Sequence, residues 1–298
     1  MLQIRAGVRP RGQRPAPGRS VGVDVGERRT RVVVVEAGAQ GPAVAAWSDD
    51  PTPPGIFVSG RPARPAELAQ WLRKVLAPAR AGDGVWAACP WTDVQVKRLS
   101  VPDPANRDAT LRGLAVNPAF RMAADAAVWR IDYDVIDAGS GAVLAAAAKP
   151  AGVRMVAAAV AEAGAVPAGV GVAETAAAHA WLATAPEPQA RALLVEAGFG
   201  GATLVVMDGG RVVAVRRVMF GGRALEERGG WDGASRIPAE LAEEWAARIA
   251  QEVRMLAGAA FRTGVPGVPT VVLMGGLASS GELVEALGKV VESAVERW

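Results

Sequence analysis

The sequence predicts an α/β protein made of two similar halves, with a small subdomain inserted into the first. Two observations carry this expectation. One pattern occurs twice: VGVDVG at 21–26 and LVEAGFGG at 194–201 each bring an apolar strand to an acid, with a glycine two positions later opening a tight turn. Between these repeats, from Val85 to Pro150, short strand-like pieces surround one weak helix near 106–116. That texture suits a separate unit of about 65–80 residues.

Each element follows from local chemistry. Regular structure begins at Val21, where VGVDV, GERR and TRVVVVE read as strand, turn and strand because β-branched residues crowd both arms. A linker holding Pro51, Pro53, Pro54, Pro62 and Pro65 follows. Pro65 then opens a helix with Leu68, Trp71, Leu72, Val75 and Leu76 at helical spacing, and Gly82 and Gly84 end it. In the insert, VWAAC, VQVKRLSV, WRIDYDVI and GSGAVLAAAAK predict strands. A helix near 151–163, the strand-like GVGVAE and the helix TAAAHAWLAT lead to the Pro186–Pro188 loop.

The second half repeats the opening of the first. ALLVEA, GFGGA and TLVVM give strand, turn and strand, DGG a hairpin turn that tolerates positive φ, and RVVAVRRVMF a third strand. A helix starts near Arg223. An amphipathic helix over 238–260 carries Leu241, Trp245, Ile249, Val253 and Leu256 on one face. TVVLM predicts a strand, Gly275-Gly276 a turn, and a last helix runs from about Gly281 to the end. The implied boundaries are 1–19 for a basic arm, 20–84 for the first domain and 85–150 for the insert. Residues 151–190 return to the first domain, and 191–298 form the second.

Composition narrows the function classes. The chain has 298 residues, a hydrophobic fraction of 51% and a net charge of +3, enough to build a core and too balanced for an electrostatic nucleic-acid binder. Arg5, Arg9, Arg11, Arg14 and Arg19 concentrate positive charge among prolines and glycines at the N-terminus, with no apolar run behind them. This reads as a disordered arm, or as a tail drawn to anionic lipid or an acidic partner, and argues against a secretory signal. Lys149, Pro150, Arg154 and Glu162 interrupt the Ala-rich middle, so no window reaches the ~18 uncharged residues a spanning helix needs. Cys89 is the only cysteine, which excludes an internal disulfide and points to a reduced, buried thiol. His179 is the only histidine; in its Ala-rich helix it reads as a packing residue.

The chemistry sits in three glycine segments. The two acid–glycine turns can point backbone N–H groups at a phosphate chain, and glycine lets the backbone approach closely. The acids Asp24 and Glu196 can hold, through water, the Mg²⁺ that accompanies a nucleotide. A third segment, VVLMGG at 271–276, places a glycine pair between strand and helix, where a flat base can lie against bare backbone. The candidate nucleotide-binding residues are therefore Asp24, Gly26, Arg31, Glu196, Gly198, Gly200, Gly201, Thr203, Gly221, Gly222, Gly275 and Gly276. The ordered set, with its insert, resembles the actin-like (ribonuclease H-like) fold of duplicated domains.

Within that fold the chain resembles the PilM family of type IV pilus assembly. The resemblance covers about residues 20–290. It rests on the 21–35 hairpin, Val94–Pro102, Ile131-Asp132-Tyr133-Asp134-Val135 and Ala147-Ala148-Lys149-Pro150. The most telling segment is Arg217-Val218-Met219-Phe220-Gly221-Gly222-Arg223-Ala224-Leu225, similar to the family's R-x-x-FGG-x-x-L. The resemblance implies a cytoplasmic protein, peripheral on the inner face of the inner membrane. Such a protein holds the N-terminal peptide of a PilN-like bitopic membrane protein between core and insert. It connects the alignment complex to pilus motor ATPases and carries ATP, with Mg²⁺, in an interdomain cleft.

Departures from the family shift the expectation toward a scaffold. Glu27, Arg28 and Arg29 replace small polar residues in the first turn, and Glu27 brings a negative charge toward phosphates. Glu196 is one methylene longer than the usual Asp, and Phe199 stands where a small residue is expected. The segment 226–238 is short, and the chain stops before the expected final strand and helix, which predicts an uncovered sheet edge or one covered by another chain. ATP binding with weak or absent hydrolysis is the resulting expectation. The alternatives are a scaffold of a type II secretion platform (GspL-like) without nucleotide, and a small-molecule kinase using Asp93, Asp132 or Asp134 as base. Of the nine tryptophans, Trp71, Trp181 and Trp245 read as core. Trp86, Trp91 and Trp129 read as core or as lining for a partner peptide.

Overall fold

The computed structural model describes residues 3–4, 18–39, 41–58, 60–80, 82–89, 91–120, 129–184, 191–229, 231, 236–260, 270–291 and 295–298. Residues 5–17 of the basic arm lie outside the described residues. The chain forms two compact units. One holds Met1–Gln95, Val101–Asp134 and Ala145–Ala173; the other holds Val96–Ser100, Val135–Leu144 and Glu174–Trp298.

In the first unit β1 (Gln3–Ile4), β2 (Arg19–Val25), β3 (Arg29–Gly38) and β4 (Gly41–Pro51) precede a small hairpin, β5 (Phe57–Val58) and β6 (Arg61–Pro62). Helix α1 (Pro65–Val75) and β7 (Gly84–Ala88) follow. The segment 94–148, divided between the two units, supplies β8 (Val94–Ser100), α2 (Arg107–Ala115), β9 (Arg130–Asp137) and β10 (Ala142–Ala148), whose strands form a sheet in the order β8-β10-β9. Then come α3 (Pro150–Glu162) and β11 (Val166–Gly171). The main sheet runs β1-β11-β7-β2-β3-β4.

Its hairpins are antiparallel, while β7 runs parallel to both β2 and β11. Alternation along β2 and β3 buries Val21, Val23, Val32 and Val34. Proline opens both α1 and α3, where its missing N–H costs nothing. The two helices pack on each other, and α3 also packs on β7 and β11.

The second unit holds α4 (Ala173–Thr184), β12 (Ala192–Ala197), β13 (Ala202–Asp208), β14 (Arg211–Val218), α5 (Gly222–Gly229) and α6 (Ala239–Ala260). It ends with β15 (Thr270–Met274), α7 (Gly281–Val291) and β16 (Val295–Arg297). Its sheet runs β14-β13-β12-β15-β16. The sense is antiparallel twice, then parallel twice. The five strands β4-β3-β2-β7-β11 show the same order and sense, so the repeated motif seeds a repeated topology.

One face of the second sheet, with Leu193, Val195, Leu204, Val206, Val271 and Leu273, packs against Trp245, Ile249 and Val253 of α6 and Leu283 and Leu287 of α7. On the opposite face, α4 is tied at one end to β14 by the Glu174–Arg217 ion pair. At the other end, Thr184 Oγ1 accepts the indole N–H of Trp298 at 2.9 Å.

Several expectations are corrected. The last helix does not run to the end of the chain: α7 stops at Val291, and β16 pairs in parallel with β15. The Trp298 N–H extends this pairing by donating to the Leu273 carbonyl at 3.1 Å. A three-residue strand is too short to show in the hydrophobic pattern; its partner's unpaired backbone groups select it. The stretch 41–51 has no expected element, yet it forms β4, because the exposed polar edge of β3 is completed by any following segment able to extend. The proline-rich linker contains the β5–β6 hairpin. Trp245 and Trp181 are buried as expected, whereas Trp47 on β4 is 73% exposed.

Trp245 fills the centre of the second unit with no exposed surface. Trp245→Ala is expected to lower stability by about 3–5 kcal/mol, read as a shift of the urea midpoint.

Candidate functional site

The first glycine turn is held by hydroxyls. Gly26 N–H donates to the Arg29 carbonyl at 2.9 Å, closing the β2–β3 turn. Thr52 Oγ1 donates to the Gly26 carbonyl at 2.8 Å and lies 2.8 Å from Thr30 Oγ1, which accepts the Trp71 indole N–H at 2.9 Å. A Cβ on residue 26 would sit 2.9 Å from the Arg29 carbonyl oxygen, so glycine keeps the turn closed.

Asp24 pairs across the strands with Arg31, which pairs in turn with Asp49. All three therefore share the face opposite the valine core. Asp49 Oδ1 also takes Arg29 at 2.9 Å and Arg31 at 3.6 Å. Desolvation pushes the Asp24 carboxyl pKa above the ordinary aspartate value, and the nearby Arg31 charge offsets part of that rise. Glu27 turns sideways and accepts the Gly60 N–H at 2.7 Å, instead of projecting toward a ligand as the sequence suggested.

In the second unit the remaining candidates converge on the end of β12. Gly198 N–H donates to the Gly201 carbonyl at 2.9 Å. The Phe-Gly-Gly segment folds onto this turn: Gly222 N–H donates to the Gly198 carbonyl at 3.1 Å and Arg223 N–H to the Phe199 carbonyl at 2.8 Å. A Cβ at Gly221 would lie 2.4 Å from the Gly198 oxygen and 2.5 Å from the Gly201 nitrogen. At Gly201 it would lie 2.6 Å from the Val218 oxygen. The third segment docks on the same strand end. Gly275 has φ +91° and would bring a Cβ within 2.7 Å of the Ala197 oxygen, which accepts the Leu277 N–H at 3.0 Å.

Gly198, Gly201, Gly221, Gly222 and Gly275 are thus brought together, with Gly200 in the same turn and Gly276 one residue beyond Gly275. Phe199 fits because position 222 lacks a side chain: its ring lies 3.0 Å from where that Cβ would be, and the Arg223 guanidinium sits over it at 5.6 Å.

Register places Glu196 opposite Thr203, and Thr203 opposite Arg217, on the face away from the α6–α7 core. Glu196 thus holds in its sheet the strand position and face that Asp24 holds in the other. Sequence reasoning missed the acid that meets Arg217. Glu174, in the first turn of α4, is 2% exposed and ion-paired to Arg217, while its Oε2 is buried without a hydrogen-bond partner. An acid at the start of an Ala-rich helix reads as a first-turn charge, and only its burial reveals the pairing. Among the described residues no group of three or more His, Cys, Asp or Glu side chains is placed to hold a metal by itself.

No family model and no curated protein matches the chain. Solved structures do. The PilM-PilN type IV pilus biogenesis complex matches with a TM-score of 0.76 at 24% identity, covering 94% of this chain and 88% of that one. A Bacteroides thetaiotaomicron protein described as having an actin-like ATPase fold matches at 0.52 with 7% identity, covering 94% and 91%. The fold is actin-like. The cytoplasmic domain of EpsL, an inner-membrane component of the Vibrio cholerae type II secretion system, matches at 0.50 with 10% identity, covering 86% and 81%. In the actin-like fold of this chain, the duplicated sheets place the three glycine segments at strand ends.

Arg217→Ala strands a buried carboxylate and is expected to cost about 3–5 kcal/mol, with most of the loss recovered in an Arg217→Met, Glu174→Gln double variant; urea denaturation of the set reads both. Because the folded pKa of Asp24 is raised, wild type loses stability as pH rises through the ordinary aspartate value near ~3.9 toward the folded one. Asp24→Asn removes that loss. The variant is expected to be more stable than wild type at neutral pH, with the margin shrinking on acidification, as measured by urea titrations across that range.

Proposed function

We propose that the chain is a pilus-assembly scaffold that binds ATP and the N-terminal peptide of a PilN-like membrane protein. The carrying observation is the likeness, over 94% of the chain, to the PilM-PilN complex. The turn Gly198–Gly201 at the end of β12 supports the nucleotide part, since its half-buried glycines let a phosphate chain approach the backbone. Gly198, Gly200, Gly201, Gly221 and Gly222 are assigned to phosphate contact, with Thr203 donating beside them, and Gly275 and Gly276 to the base. Gly26 and Arg31 are assigned to phosphate from the first hairpin.

Asp24 and Glu196 are assigned to Mg²⁺ through water, a role that fits one acid per strand end. When bound, the ion would neutralise phosphate charge. Asp49 draws the Arg29 and Arg31 charges to itself, so hydrolysis is expected to be weak or absent. The protein is placed in the cytoplasm, peripheral to the inner membrane, in contact with the pilus motor ATPases. Among the described residues no helix is long and apolar enough to cross a membrane. The likeness to the EpsL cytoplasmic domain favours a second reading, the same scaffold in a type II secretion platform.

Calorimetric titration with ATP, with and without Mg²⁺, is expected to show binding that weakens at least about tenfold in Asp24→Ala, the scale of a single lost ~1.4 kcal/mol interaction. Equal, negligible heats for both proteins at millimolar ATP would refute the nucleotide part. Fluorescence anisotropy with a labelled N-terminal peptide from a PilN protein tests the partner, and no saturable binding would refute it.

A further inference from the structure

Glu27 begins a continuous polar chain that runs from the first glycine turn to the base of the inserted segment. Its Oε1 accepts the Gly60 N–H at 2.7 Å. Gly60 has φ +73° and is buried, so the β5–β6 turn depends on glycine at that position. The Gly60 carbonyl accepts Thr92 Oγ1–H at 3.3 Å, and Thr92 Oγ1 accepts Arg61 Nε–H at 2.9 Å. Arg61 also donates through Nη2 to Asp93 Oδ1 at 2.7 Å.

Asp93 is 6% exposed and is the last residue before β8, where the chain enters the insert. Lys149 is the first residue after β10, where the chain leaves it. Its Nζ lies 3.6 Å from Asp93 Oδ1, and its N–H donates to the Asp93 carbonyl at 2.8 Å. The entry and exit of the insert are therefore stitched together at Asp93. A Cβ at Gly152, in the first turn of α3, would lie 2.5 Å from Asp93 Oδ2, so the carboxylate is packed directly onto the helix that follows.

We infer that Glu27 is a positioning residue that couples the state of the first glycine turn to the root of the inserted segment. Gly26, which closes the turn, and Glu27, which starts the chain of bonds, are adjacent. A ligand that draws on the turn backbone shifts the Glu27–Gly60 bond, and the bonds through Thr92 and Arg61 carry that shift to Asp93 and Lys149. The charged residue that departs from a small polar turn thus has a use other than phosphate contact. This inference rests on the proposed nucleotide binding for its ligand and on the polar chain alone for its path.

Amide hydrogen exchange resolved at Lys149 tests it in two arms. Without ligand, Glu27→Ala and Thr92→Val are each expected to speed Lys149 exchange several-fold, with no further gain in the double variant, because both cut one path. Glu27→Gln keeps an acceptor for Gly60 and is expected to leave the rate unchanged. With ATP, wild type is expected to show an altered Lys149 rate that Glu27→Ala lacks while still binding ATP by calorimetry. An unchanged Lys149 rate in both ligand-free variants, or an ATP response retained in Glu27→Ala, overturns the coupling. Absence of ATP binding to wild type refutes the nucleotide proposal instead, and the ligand-free arm still decides whether the path exists.

Discussion

Two glycine pairs distant in sequence, Gly221-Gly222 and Gly275-Gly276, dock on five backbone residues, Ala197 to Gly201, and the second unit is arranged around that meeting. A side chain at Gly201, Gly221 or Gly275 would lie between 2.4 and 2.7 Å from a backbone atom, closer than packed atoms can approach. The contact sets how β14 turns into α5 and how β15 turns toward α7. Phe199 depends on it as well, since its ring occupies space that a side chain at Gly222 would need.

The second organising feature is register. A period of two residues puts valines on one face and Asp24, Arg31 and Asp49 on the other in the first sheet, and it sorts Glu196, Thr203 and Arg217 in the same way in the second. Polar groups on those faces find partners by cross-strand pairing or by contact with α4. Glu174 is the extreme case, since its burial is tolerable only because Arg217 is there. In the first unit the same logic of satisfying buried groups produces the chain from Glu27 to Lys149.

Much of the architecture was legible because it is written in local patterns. Apolar runs ending in acid and glycine marked both hairpins, and Pro65 marked a helix start. Apolar spacing from Leu241 to Leu256 marked the core face of α6. Elements stabilised mainly by a partner left little trace: β4, whose residues are largely exposed along an edge, and β16, three residues long. Side-chain pairings across long sequence gaps were equally silent, because charge and spacing alone do not reveal which of many acids meets which base.

Sequence by itself determined the duplicated α/β plan and the glycine positions. Each of these depends on backbone propensity or on hydrophobic periodicity within a few residues. Tertiary structure alone decided that Glu27 bonds to Gly60, that Arg217 neutralises Glu174, and that β16 pairs with β15. Those outcomes depend on which unsatisfied polar groups folding brings within bonding distance, and that is a property of the assembled chain rather than of any stretch of it.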